Sequence, residues 1–285
     1  MLPEFLDKYA PVIDGVIFAY RDEPTINTSR NTSLRAQLDA TEALLRARGK
    51  ALVLMVYCAP LGRIPIPPGV EYVRESVDMG LRDMREGKLA GVVTYVLRKT
   101  GLPAPAAEDY ARAGNGRATI LVSGKNIQAG GYGELSGQMS VKPERGPFRL
   151  TFWRTALYSR LPPGYFFLQI LLDGRMVWEQ DIAAFEPKVW KQERADLGEW
   201  PDGKRDATLG IRMALHRNAG SITVTIGLDD LAAEGFTLDD PGFENPARWK
   251  PAQTAPAFLP MVQMFDPERP IRMFDAVREL YGTAR

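Results

Sequence analysis

Three nearly uninterrupted apolar runs dominate the first part of the sequence: DGVIFAY at Asp14–Tyr20, ALVLMVYC at Ala51–Cys58 and GVVTYVL at Gly91–Leu97. Runs of this length, rich in β-branched and aromatic residues and without alternation, are the pattern of strands covered on both faces. The intervals between them are helical. Leu34, Leu38, Thr41 and Leu45 fall on one helix face, with Ser33 as an N-cap and Gly49 as a stop. Val73, Val77, Leu81 and Met84 repeat the pattern and end at Gly87.

Strand, helix, strand, helix, strand with right-handed crossovers gives parallel strands, and strands apolar on both sides require a covering layer on each face. Three strands alone leave unpaired edges. The expectation is a partial set of parallel β/α units whose missing strands come from another chain, from unusual packing or from sequence absent here.

Gly101, Pro103, Pro105 and the alanines around them form a linker over 101–116, after which the texture of the chain changes. Phe148, Leu150 and Phe152 alternate with Arg149, Thr151 and Trp153, the period of a half-buried antiparallel strand. Phe166, Leu168, Ile170 and Leu172 repeat the alternation before Asp173-Gly174, a hairpin turn signal that leads into Arg175–Trp178. Leu209, Ile211, Met213 and Leu215 form another inward row, and Ile222, Val224, Ile226 and Leu228 a last one. Short strands with Gly and Pro punctuation describe an all-β sandwich or jelly roll. The expected fold class is therefore α/β units over 1–100 joined to an all-β jelly-roll sandwich over 117–250. A Pro-rich segment and a C-terminal helix near Ile271–Leu280 follow within 251–285.

The 36 Lys and Arg against 35 Asp and Glu give a formal net charge of +1, so no global field holds nucleic acid or an anionic membrane. Met1–Lys8 carries two acids and no long apolar run, so neither a signal peptide nor a spanning segment is expected there. The single cysteine, Cys58, cannot form an internal disulfide, which leaves the compartment open.

DGVIFAYRDE, KALVLMVYCAPL, PPGVEYVRESVDMGL and GKLAGVVTYVL resemble the last strands of a (β/α)8 barrel of the glycoside-hydrolase type. GELSGQMSV, FRLTFWR, LLDGRMVWEQDI and ITVTIGLDDL are similar to the jelly-roll carbohydrate-binding modules appended to such barrels. The resemblance implies a protein that hydrolyses or binds a polysaccharide or oligosaccharide, or a non-catalytic module of a larger enzyme. It also implies an association that completes the barrel, and an extracytoplasmic location if an export signal lies upstream.

In parallel α/β folds the ligand lies beyond the carboxyl ends of the strands, which draws attention to Tyr20, Arg21, Asp22, Glu23, Tyr57, Tyr95 and Arg98. Asp22 and Glu23 are the only carboxylates directly after one of the three runs, and glycoside hydrolysis needs a general acid facing a nucleophile or base. Their alternative role is as solvated loop acids beside Arg21. Tyr57 and Tyr95 are candidates for sugar contact, having an apolar face and a polar tip, or are buried structural tyrosines. All five tryptophans, Trp153, Trp178, Trp190, Trp200 and Trp249, lie in the second half, with Trp153 the first choice for an exposed stacking platform and Trp178 assigned to the core. Asp229-Asp230 offers oxygen ligands for a structural calcium, against a turn or capping role. His216, the sole histidine, reads as a surface or strand-edge residue, Cys58 as a buried inert thiol, and GNG at 114–116 and GGYG at 130–133 as turns.

Overall fold

The computed structural model describes residues 2–20, 34–59, 68–95, 97, 111–141, 147–200, 205–266 and 268–283. Arg21, Asp22, Glu23, Ser33 and Arg98 lie outside these. The chain divides into two compact units. One is Met1–Leu102 together with Pro267–Arg285, and the other is Pro103–Asp266. The all-β unit is thus inserted into the α/β unit, and residues 251–285 contribute to both.

In the α/β unit, α1 (Leu2–Tyr9) precedes β1 (Gly15–Tyr20), α2 (Leu34–Arg46), β2 (Ala51–Tyr57), α3 (Val70–Arg85) and β3 (Gly91–Tyr95). The C-terminal helix α4 (Arg269–Thr283) packs on α3. The sheet is parallel, in the order β1-β2-β3, an open sheet with no closed barrel among the described residues. The buried face of α2 is Leu34, Leu38, Thr41 and Leu45, and Gly49 and Gly87 follow α2 and α3 with positive φ, as the spacing requires. Asp83 on α3, buried, takes the guanidinium of Arg35 on α2 at 2.7 and 2.9 Å. Gly80 lets α3 lie against the sheet, since a Cβ there would stand 2.8 Å from Leu54 and 2.9 Å from Val92. Tyr281 of α4 donates to the carbonyl of Val92 at 3.2 Å.

The expected covering layer on both faces is not what forms. Leu52, Leu54 and Val56 are buried on the α3 side, but on the opposite face Ile17 is 61%, Val93 46% and Tyr95 44% exposed. Strands in sequential order with right-handed crossovers carry their crossover helices on one side only, as in a barrel wall, whose other side is covered only by more strands.

The inserted unit comprises β4 (Gly116–Gly124), β5 (Tyr132–Val141), β6 (Phe148–Leu157), β7 (Phe166–Leu172), β8 (Arg175–Asp181), β9 (Lys191–Gly198) and β10 (Asp206–Leu215). It continues with β11 (Ile222–Glu234), β12 (Phe236–Leu238), β13 (Lys250–Gln253) and β14 (Phe258–Met264). One sheet runs β14-β4-β11-β6-β9, and the other β12-β5-β10-β7-β8 with β13 also on β5. The nested antiparallel pairs β4·β11, β5·β10, β6·β9 and β7·β8 are those of one long hairpin rolled into two sheets, a jelly roll. Its tip is Asp173-Gly174, with φ of 49° and 80°, the two left-handed residues a tight two-residue hairpin needs. Leu150, Phe152, Phe166, Leu168, Ile170, Leu209, Ile211, Met213, Val224, Ile226 and Leu228 share one core between the sheets, as their alternation requires.

Pro251 and Pro260 sit in β13 and β14, which pair only with β5 and β4 respectively, and proline is tolerated on such edges because its missing N–H faces away from the ladder. Gly116 opens β4 where a Cβ would come within 1.9 Å of the Phe243 carbonyl oxygen. Backbone cannot yield as a side chain can, so Gly116→Ala is expected to lower stability by about 1–3 kcal/mol or more. Thermal unfolding followed by circular dichroism measures this, and an unchanged midpoint would refute the close approach.

Candidate functional site

The carboxyl edge of the parallel sheet brings two of the predicted residues together. Tyr57 and Tyr95 are register partners on β2 and β3, and their rings meet edge-to-face with centroids 5.2 Å apart. Both lie on the face opposite the helices, and Tyr95 is exposed. Tyr20 ends β1 opposite Val56, one residue before Tyr57, so its position belongs to the alternate row of the sheet. Arg21, Asp22 and Glu23 continue the chain from Tyr20 outside the described residues. No carboxylate closes β2 or β3, which end in Tyr57 and Tyr95.

Cys58 follows Tyr57, and its backbone N–H donates to Tyr95 O at 3.0 Å. Burial pushes its thiol up to about 12, so it stays protonated at neutral pH and is a poor nucleophile.

Trp153 and Asp229 also meet. They are cross-strand partners on β6 and β11, and Trp153 points away from the core, half-buried, with the Arg112 guanidinium 4.5 Å from its ring centroid. The predicted stacking platform therefore already carries a planar group on its ring. Asp229 is fully buried. Its Oδ2 accepts from the N–H groups of Arg112 and Ala113, and its Oδ1 from the N–H of Asp230. The register of β11 against β6 shifts between Asp229 and Ala232, and Asp230 has a φ of 54°, so the aspartate pair forms a β-bulge that anchors the chain entering β4. No group of three or more His, Cys, Asp or Glu side chains able to hold a metal occurs among the described residues. Trp178 packs edge-to-face on Phe152 at 5.4 Å, against the core.

A further group was not singled out by sequence. On the outward face of the β5-β10-β7-β8 sheet, Glu134, Arg212, Gln169 and Glu179 form one cross-strand row. Arg212 bonds Glu134 at 2.7 Å, and Gln169 Nε2 donates to Glu179 at 2.7 Å. His216 Nε2 lies 3.5 Å from Glu179, and the His216 ring stacks on Phe167 with centroids 4.2 Å apart. The alternation marked these positions as outward but held no signal that residues from four strands converge.

No family model matches the chain, and no curated protein sequence matches it significantly.

Burial raises the Asp229 carboxyl above the usual carboxylate range and outweighs the three N–H donors that favour its ionised form. A raised folded-state value means that ionisation at neutral pH costs stability, recovered as the pH falls through that value toward the ordinary one near 3.9. Wild type should therefore gain stability relative to Asp229→Asn between neutral pH and about pH 4, in paired thermal melts. Asp229→Ala strips all three donors and is expected to cost about 3 kcal/mol. A wild type that loses stability relative to Asp229→Asn as the pH falls would contradict the assigned cause.

Proposed function

We propose that this chain is a carbohydrate-active protein that engages a glycan at the carboxyl edge of its parallel sheet. The observation that carries the reading is the Tyr57–Tyr95 ring pair, which offers an apolar ring surface and two hydroxyls at the edge where parallel sheets place their ligands. Sugars present a mainly apolar ring face and a rim of hydroxyls, which matches such a pair. In the hydrolytic form of the reading, Asp22 or Glu23 protonates the glycosidic oxygen as its bond to the anomeric carbon breaks. Water, activated by a carboxylate on the other face of the sugar, completes the reaction.

The second form is binding without turnover, with the sandwich as the recognising part. What favours it is that β2 and β3 end without the second carboxylate that hydrolysis needs.

The test is a polysaccharide panel scored for both retention of the protein and release of reducing ends. For the hydrolytic form, Asp22→Asn and Glu23→Gln should between them cut release at least about 100-fold while leaving retention intact. Tyr57→Ala and Tyr95→Ala should weaken retention. Retention without release by the wild type selects the binding form, and a panel that neither retains the protein nor is cleaved sinks the proposal.

A further inference from the structure

We propose that Asn115 is a modification site, at which the side-chain amide is lost through a cyclic imide, and that the Glu244 carboxylate gates the reaction. The inference is independent of the carbohydrate-active reading. Asn115 is the middle residue of the GNG segment at 114–116, and of the six asparagines in the chain it alone precedes a glycine. Ring closure requires the next residue's nitrogen to reach the asparagine side-chain carbon. Glycine permits this best, because it puts no Cβ in the path and leaves the backbone free to turn.

In the reaction the Gly116 backbone nitrogen loses its proton and bonds to Asn115 Cγ, while the side-chain nitrogen leaves as ammonia. Water then opens the imide at either carbonyl. One opening gives aspartate. The other gives isoaspartate, whose main chain runs through the former side-chain carbon and is longer by that atom. The change would fall where the chain enters the sandwich, displacing Gly116 from its register partner Met264 on β14.

Packing fixes the glycine that makes Asn115 labile, since a Cβ at 116 would collide with the Phe243 carbonyl oxygen. The same corner supplies the restraint. Glu244 Oε1 accepts from the N–H of Asn115 at 2.7 Å and from that of Gly116 at 3.1 Å, and the Asn115 carbonyl accepts from the Phe265 N–H at 2.6 Å. Rotation about the Asn115 Cα–C bond swings its C=O and the Gly116 N–H together. The peptide therefore cannot turn toward the side chain without breaking its bonds to both Phe265 and Glu244. Glu244 is anchored in turn, its own N–H donating to Asp240 Oδ1 at 2.9 Å. A carboxylate beside the nitrogen also opposes the amide anion through which ring closure passes. Asn115 is exposed, so water reaches it, and its protection comes from this clamp rather than from burial.

The test is to incubate the full chain in mildly alkaline buffer, native and in urea, then digest it. Mass spectrometry locates each amide-to-acid conversion, and isoaspartyl methyltransferase labelling counts the isoaspartate. In urea Asn115 is expected to convert ahead of the other five asparagines, and at least about tenfold faster than in the native chain. Glu244→Ala should speed conversion in the native chain about 10- to 100-fold, the factor that hydrogen bonding to a charged group is worth. Glu244→Gln keeps an acceptor oxygen without the charge and should fall between. Leu168→Ala separates the clamp from general loss of stability, because it weakens the core with the clamp intact. Below its melting range, its Asn115 should react at the wild-type rate. Conversion in urea led by another asparagine overturns the site. Equal rates in wild type and Glu244→Ala, or acceleration by Leu168→Ala matching that of Glu244→Ala, overturns the gate.

Discussion

The pairing of β4 with β14 is what allows the two units to coexist in one chain. Gly116 at the start of β4 is the register partner of Met264 at the end of β14, and Phe265 N–H donates to Asn115 O just outside them. The chain therefore enters and leaves the sandwich at one point. An insertion whose ends lie together can be accommodated within another domain without pulling it apart. The parallel unit keeps its last helix, α4, in contact with α3 although the whole sandwich intervenes in sequence between β3 and α4. Carboxylates reinforce the same corner. Asp229 holds the N–H groups of Arg112 and Ala113, Glu244 those of Asn115 and Gly116, and Asp240 those of Glu244 and Asn245. Three successive acids thus tie the incoming strand to β11 and to the loop before β13.

Much of this architecture was legible because it is periodic. Rows such as Phe166, Leu168, Ile170 and Leu172 repeat every second residue, and a strand in a two-sheet core can bury only one such row. Asp173-Gly174 marked the hairpin tip because few residue pairs accept two successive left-handed conformations. The face Leu34, Leu38, Thr41 and Leu45 came from the helical period in the same way. What local pattern could not carry is the identity of the partner surface. A continuous apolar run reports that both sides of a strand tolerate burial, yet Ile17 and Val93 stand exposed where the runs called for cover. The strands β13 and β14 were hidden for the opposite reason: Pro251 and Pro260 read as loop, and only their positions on strands with a free side make them compatible with a ladder.

The candidate sites follow the same division. Tyr57 and Tyr95 could be placed at strand ends because those ends can be located from the runs themselves, and parallel register brings the two side by side. The row on the outward face of the β5-β10-β7-β8 sheet was not found, because Glu134, Gln169, Glu179 and Arg212 come from four separate stretches of the chain. Each looks ordinary alone. His216 in particular was read as a surface or edge residue, a description that fits its exposure and omits its stack on Phe167 and its approach to Glu179.

The acids of the sandwich separate into two chemical classes by what satisfies them. Asp229 and Asp240 each accept backbone N–H bonds at both carboxylate oxygens, and Glu244 accepts two at one oxygen. An acid engaged in this way is committed to chain geometry, since binding a ligand or cation would compete with these backbone donors. This is why the Asp229-Asp230 pair, conspicuous in sequence, is built into a bulge. Glu134 and Glu179 are satisfied instead by side chains, which move and which leave part of each carboxylate open to solvent. Removing Arg212 or His216 from them exposes no buried backbone donor. Polar groups held by side chains on an outward face can exchange one partner for water at small cost, whereas those locked to the backbone cannot.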